Sequence, residues 1–251
     1  MKRGTFYARR VKRLFHKLKQ EHGTPEIPDP TDPLHQLLLA LLTSESSDQR
    51  GHRAMKALFD VMVDFNEIRV STSAEIARAI SQHLPNPIKH AETIRNALDA
   101  VFRKEHAIRL DRLNKLGRRE ARQYLTQLSG VDAAAAASVV LWSLGGHAIP
   151  VSERLFQALR DADLVDASAS IDQVQAFLER NISAHDAKAF CLLMNKFVAA
   201  KGSPAAKSVA NGSEDGRAAR PAARPSTKKA AAGAAHKKGA LAKSRAKTAK
   251  H

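Results

Sequence analysis

Apolar residues recur along this chain at the three- and four-residue spacing of an α-helix, and they nowhere alternate with the period of two typical of a strand. A first amphipathic helix carries Val11, Leu14, Phe15 and Leu18, and glycine and proline residues end it between positions 23 and 33. The pattern predicts an all-α protein. Further helices are predicted over residues 34–42, 49–65, 72–84, 90–106, 110–116, 118–128, 133–144, 151–160, 171–180 and 186–199.

The basic residues are concentrated at the two ends of the chain. Residues 1–19 contain eight Lys/Arg and no acidic residue, and residues 201–251 contain thirteen Lys/Arg and two acidic residues. Because the net charge of the whole chain is +16, residues 20–200 carry a net charge of −3. The sequence therefore predicts a near-neutral helical body with basic ends, rather than a body lined by a basic groove.

Residues 201–251 have the composition of a disordered tail, because Val209 and Leu241 are their only large apolar residues. The tail resembles the Lys/Ala-rich tails of linker histones and some bacterial nucleoid proteins, which implies phosphate contacts without base readout. A purely solubilising tail is the alternative. The predicted phosphate contacts include Lys228, Lys229, Lys237 and Lys238.

The basic face of the first helix has three interpretations. It is either a solvated face of a packed helix or a surface that contacts nucleic-acid phosphates. An Arg-rich segment without acidic residues is also typical of an organellar targeting helix, although the helical pattern here continues into the folded region.

Cys191 is the only cysteine, which excludes an intramolecular disulfide and a four-cysteine iron–sulfur cluster. No cofactor and no metal site are predicted. No stretch of about 18 apolar residues occurs, so no membrane span is predicted. A reducing, cytoplasmic location is expected, on the nucleoid if the source is a bacterium.

Residues 124–159 read YLTQLSGVDAAAAASVVLWSLGGHAIPVSERLFQAL, and they resemble the helix-hairpin-helix and following loop of endonuclease III-like DNA glycosylases. The family pattern is roughly L-P-G-V-G-x-K-T-A, followed after an apolar stretch by V-D-T-H. Residues 32–59 and 74–98 match two earlier helical segments of the family in the same order. The resemblance covers about residues 11–199. It implies an endonuclease III-like helical DNA-glycosylase fold with two intertwined lobes within residues 1–200, followed by the tail.

Ser129, Gly130 and Val131 form the predicted hairpin turn. A glycine in such a turn can adopt backbone angles closed to other residues, and exposed N–H groups at the start of the next helix can hold a DNA phosphate. This contact positions DNA without reading its bases. Asp132 replaces the second glycine of the pattern. It is a good helix N-cap, but its charge opposes a phosphate.

Two positions that carry the chemistry of the family hold other residue types here. The lysine that forms a Schiff base in bifunctional members aligns with Ala134, and no lysine lies between Lys115 and Lys188. Loss of this lysine alone would suit a glycosylase that uses activated water. The aspartate of V-D-T-H aligns with Ser152, which carries no charge. Glu153 follows, either as a displaced catalytic carboxylate or as a first-turn residue favoured by the helix dipole.

The glutamine that many family members insert into the duplex aligns with Glu45, another change of charge that is unfavourable near DNA. Together these changes favour a DNA-binding protein of this base-excision-repair superfamily that no longer acts as a glycosylase or lyase. The alternative is an active DNA glycosylase with a rearranged site. DNA, contacted mainly through its phosphates, is the expected partner, and the sequence leaves the oligomeric state open.

Overall fold

The computed structural model describes residues 4–201, and all regular structure in this range is helical. The all-α prediction is confirmed for this part of the chain. The predicted disordered tail, with Lys228, Lys229, Lys237 and Lys238, lies outside the described residues apart from Lys201. The described α-helices are α1 (Gly4–His22), α2 (Pro33–Thr43), α3 (Asp48–Val61), α4 (Phe65–Val70), α5 (Ser73–Ile80), α6 (Pro87–Glu105), α7 (Arg118–Thr126), α8 (Ala133–Trp142), α9 (Glu153–Asp161), α10 (Ile171–Asn181) and α11 (Ala187–Lys201), and a 3₁₀ helix spans Asp111–Lys115.

Helix boundaries differ from the prediction where a capping residue or a proline decides them. The predicted single helix over residues 49–65 is wrong, because Asp64 caps the separate short helix α4 by accepting a hydrogen bond from Glu67 N at 2.8 Å. Helix α5 ends at Ile80, before the predicted boundary at residue 84. Helix α6 begins at Pro87, earlier than predicted, since proline has no N–H to leave unsatisfied in the first turn.

The first helix of the chain packs with the last ones. Helix α1 contacts α10 and α11, and the ring of Phe15 lies edge-on to that of Phe190 with 5.4 Å between centroids. Lys19 of α1 also forms a 2.8 Å ion pair with Asp186, just before α11. Helices α3 to α6 pack on one another, while α2 contacts both α3 and the largely buried helix α8. Helices α2 and α8 therefore lie at the centre of the described chain.

A partly buried carboxylate holds the hairpin helix α7 in place. Glu179 of α10 accepts hydrogen bonds from Arg122 Nη1 of α7 at 2.9 and 3.0 Å. The same side chain accepts from Ile149 N at 3.3 Å and from Gln175 Nε2 at 3.2 Å. Because a single carboxylate joins α7, α10 and the loop before α9, the hairpin and this loop have a fixed relative position.

Candidate functional site

The predicted helix-hairpin-helix consists of α7, a turn and α8. In the turn, Val131 is buried and its N–H donates to Leu128 O at 3.1 Å, so this residue supports the turn from within. Ser129 and Gly130 are exposed, and no acceptor among residues 4–201 contacts their N–H groups. Of the three turn residues predicted to contact DNA, these two have N–H groups available to a ligand.

Asp132 begins α8 in the way the sequence predicts. Its side chain accepts a hydrogen bond from Ala135 N at 2.7 Å, which satisfies one N–H group of the first helical turn. The carboxylate is thus engaged on its own helix. The N-cap interpretation is confirmed.

Gly130 meets two separate requirements at the turn. Its φ is +81°, in the left-handed region that L side chains rarely adopt. A Cβ atom at this position would also lie 2.8 Å from the carbonyl oxygen of Thr93 in α6. The hairpin turn therefore packs directly on the α6 backbone, and only glycine allows that approach.

A cleft of about 1310 Å³ lies beside the hairpin. It is formed by the corner between α2 and α3, the start of α8, the loop that leads into α9, and α11. The structure thereby brings the two positions aligned with the family's lysine and aspartate to one cavity, together with several acidic side chains. The lining includes Ala134, Ser152, Glu153, Glu45, Asp48 and Asn195.

The residues at the two aligned positions have structural roles and no ionisable group. Ser152 is the N-cap of α9, and its Oγ accepts a hydrogen bond from Leu155 N at 3.3 Å. Ala134 lies in the first turn of α8 and contributes a methyl group to the cleft. Neither side chain can form an imine or stabilise a positive charge on a sugar.

Glu153 lines the cleft but is engaged on its own helix. It occupies the first turn of α9, is exposed, and its Oε1 accepts a hydrogen bond from Gln157 Nε2 at 2.8 Å. A carboxylate at a helix N-terminus is stabilised by the helix dipole. The geometry thus favours the interpretation of Glu153 as a first-turn residue.

Asp48, at the start of α3, is the cleft carboxylate that the sequence reasoning missed. Its carboxylate is open to the cleft and accepts a hydrogen bond from the amide nitrogen of Asn195. Asp48 is exposed as a residue, but neighbouring protein reduces the hydration of its carboxylate, which raises the pKa of Asp48 against the opposing effects of His52, Arg154 and the hydrogen bond from Asn195. The available signal was the match of residues 32–59 to an early helical segment of the glycosylase family, because this segment includes Asp48.

Glu45, at the position of the inserted glutamine, is neutralised locally. The Nζ of Lys89 donates to one carboxylate oxygen, and Asn86 Nδ2 donates to the other at 3.3 Å. The hydrogen bond from Lys89, followed by that from Asn86, lowers the pKa of Glu45. The negative charge is therefore less unfavourable near DNA than the sequence alone indicates.

Neither a metal centre nor a membrane span is found in the described range. Within residues 4–201, no group of three or more His, Cys, Asp and Glu side chains is arranged to hold a metal ion. No helix in this range combines the length and apolar character needed to cross a bilayer. Cys191 is buried beside the cleft as a free thiol. That the protein works without a cofactor stays a prediction.

Solved structures of DNA glycosylases share this architecture. An endonuclease III in a non-covalent complex with DNA is 17% identical, with a TM-score of 0.60 over 76% of this chain and 85% of that chain. An 8-oxoguanine glycosylase/lyase from Clostridium acetobutylicum, bound to double-stranded DNA, is 14% identical, with a TM-score of 0.59 over 78% and 69% of the two chains. A thermostable thymine-DNA glycosylase is 16% identical, with a TM-score of 0.57 over 80% and 89%.

At these identities the similarity shows the fold. The chain has the endonuclease III-like helical DNA-glycosylase fold, so the resemblance and the fold class predicted from the sequence are confirmed at that level. No protein-family model and no curated protein sequence matches the chain.

Proposed function

We propose that this protein binds DNA through its helix-hairpin-helix and its basic tail, and that it does not excise bases with the chemistry of its structural neighbours. One observation carries the proposal: a hairpin turn with exposed N–H groups at Ser129 and Gly130 lies beside a cleft whose two aligned positions hold Ala134 and Ser152. Two of the similar structures are complexes with DNA, which supports DNA as the partner. We place the protein in the cytoplasm, on the nucleoid if the source is a bacterium.

The chemistry of base excision explains why these two positions matter. Cleavage of a glycosidic bond develops positive charge on the sugar, which a nearby carboxylate stabilises, and a lysine amine can attack the anomeric carbon. Ser152 caps α9 and Ala134 offers only a methyl group. Two lysines line the cleft, but Lys89 is paired with Glu45, and Lys196 belongs to α11 rather than to the hairpin.

The exposed hairpin turn gives a direct test of DNA binding. Replacement of Ser129 by Asp should weaken duplex binding roughly tenfold, because it places a negative charge where a phosphate would accept from backbone N–H groups. Fluorescence anisotropy with a short duplex at fixed salt measures the change. Asn114→Asp adds the same charge at another exposed site and should have little effect. Equal losses in both variants would exclude a specific hairpin contact.

The tail should supply much of the salt-dependent affinity. Residues 202–251 contain twelve Lys/Arg and two acidic residues. In plots of log affinity against log salt, each phosphate contact contributes a slope of about −0.9 on duplex DNA. A chain ending at Lys201 should therefore bind more weakly and with a much shallower slope. An unchanged slope would show that the tail makes no phosphate contacts.

A second candidate function is base excision with a rearranged site, and Asp48 is the observation that favours it. A carboxylate that faces a cleft and has a raised pKa has the properties of a general acid or base. Glu153, the candidate chosen from the sequence, is instead bonded to Gln157. If this second function is correct, Asp48→Asn should abolish excision and Glu153→Gln should leave it unchanged.

A further inference from the structure

Helix α1 presents a basic surface that the hairpin and the cleft do not use. The helix contains six Lys/Arg and one acidic residue. Its apolar side chains Val11, Phe15 and Leu18 are buried against the body, so the helix cannot place an apolar face into a membrane. No residue of α1 lines the cleft beside the hairpin.

Two of the α1 cations attach the helix to the body. Arg10 Nη1 lies 2.6 Å from Asp163, and the same side chain donates to Ala162 O at 3.3 Å. Lys19 is paired with Asp186 at 2.8 Å. These charges are already neutralised, so they contribute little to binding of a further anion.

The remaining α1 cations are open to a ligand. Arg9, Lys12 and Arg13 are exposed, and no acidic side chain among residues 4–201 pairs with them. Lys17 lies 3.6 Å from Glu21, with both side chains largely exposed, which is a weak pair in water. Arg9, Arg13 and Lys17 follow one another at four-residue intervals, so they stand on one side of the helix about 6 Å apart along its axis.

Arg9, Arg13 and Lys17 line a shallow groove of about 790 Å³ that runs along α1 to Leu164. Phe6 lies in the same groove, and 48% of this aromatic residue is exposed. The guanidinium carbon of Arg10 lies 5.3 Å from the centroid of the Phe6 ring. A row of exposed cations thus continues into an exposed aromatic ring, over which the guanidinium of the anchored Arg10 lies.

We infer that this groove binds a single-stranded segment of nucleic acid. The phosphates lie along Arg9, Arg13 and Lys17, and one unpaired base stacks on Phe6. Surfaces that bind single strands combine a basic groove for the backbone with aromatic rings for the bases. In a duplex the faces of the bases are stacked on each other, so only an unpaired base can use the ring. An acidic peptide would meet the charges but would leave the ring unused.

The test uses the full-length protein and three probes: a twelve-nucleotide oligothymidine, a duplex of the same length and an oligoglutamate peptide. A triple variant combines Arg9→Gln, Arg13→Gln and Lys17→Gln, and a single variant carries Phe6→Ala. All four side chains are exposed, so both variants should fold, which thermal unfolding followed by circular dichroism verifies. The control variant replaces Arg53, Lys56 and Lys115, three exposed cations elsewhere on the body, by Gln.

The triple variant should bind oligothymidine about tenfold more weakly, and its salt slope should be shallower by about 2, since each phosphate contact on a single strand contributes about −0.7. Phe6→Ala should lower the affinity at least about fivefold without changing the slope. The control variant should stay within about twofold of the natural protein. Ser129→Asp should weaken duplex binding while leaving oligothymidine binding unchanged, so the hairpin and the groove are tested separately.

Three results would overturn the inference. Equal losses in the triple and control variants would show that only total charge matters. If Phe6→Ala bound oligothymidine as tightly as the natural protein does, no base would stack on Phe6. If duplex or oligoglutamate binding depended on α1 as strongly as oligothymidine binding does, the groove would take a different class of partner.

Discussion

A double variant carrying Ala134→Lys and Ser152→Asp should form a covalent complex with abasic duplex DNA that borohydride traps, at least about a hundredfold above the background that the natural protein gives through its other lysines. The new amine would enter the cleft from the first turn of α8, next to the hairpin turn. Aspartate is as good an N-cap as serine, so Ser152→Asp should preserve the start of α9 while adding the missing carboxylate.

A charge-matched control separates the reaction from tighter binding. Ala134→Arg combined with Ser152→Asp adds the same charges, but a guanidinium stays protonated and cannot form an imine. This variant should bind the abasic duplex and give no trapped complex above the background of the natural protein. A complex trapped with the natural protein, and lost in Lys196→Gln, would show that a lysine of α11 supplies the amine, which contradicts the proposed loss of chemistry.

Gly130→Ala should lower the free energy of unfolding by about 2–5 kcal/mol. A left-handed conformation costs an L residue about 1–2 kcal/mol. The new Cβ would meet Thr93 O at 2.8 Å, and relief of such overpacking costs about 1–3 kcal/mol more. Urea denaturation measures the change. Because the clash moves the turn away from α6, duplex affinity should fall in the same variant.

Gly145→Ala provides the matched control for this prediction. Gly145 also has a positive φ, +63°, but no heavy atom lies within 4 Å of the position its Cβ would take. The free energy of unfolding of this variant should therefore fall only by the cost of the left-handed backbone conformation, about 1–2 kcal/mol. If Gly130→Ala and Gly145→Ala lowered the free energy of unfolding equally, the close approach of Gly130 to α6 would not contribute to the loss of stability.

The fold was predictable from the sequence because apolar periodicity records which face of each helix is buried. Val11, Phe15 and Leu18 are buried as their spacing indicates. The errors arose where a single residue decides a boundary. Asp64 divides a segment that is continuous in apolar pattern, and Pro87 begins α6 three residues before the predicted start at residue 90.

The candidate site was predictable only in part. Ala134 and Ser152 could be identified by alignment, and both line the cleft. The surroundings of Asp48 could not be identified, because its partner Asn195 lies 147 positions away. Local patterns contain no information on such contacts. The same reason explains why the neutralisation of Glu45, by a lysine 44 positions further along, was not foreseen.

The most direct measurement is a single-turnover excision assay with the natural protein in excess over lesion-containing duplexes. The duplexes carry oxidised, alkylated or mismatched bases, at a salt concentration where anisotropy shows that all DNA is bound. We predict full binding with no product above the protein-free control. Product that forms with the natural protein and disappears in Asp48→Asn would contradict the proposal and establish the cleft as an active site.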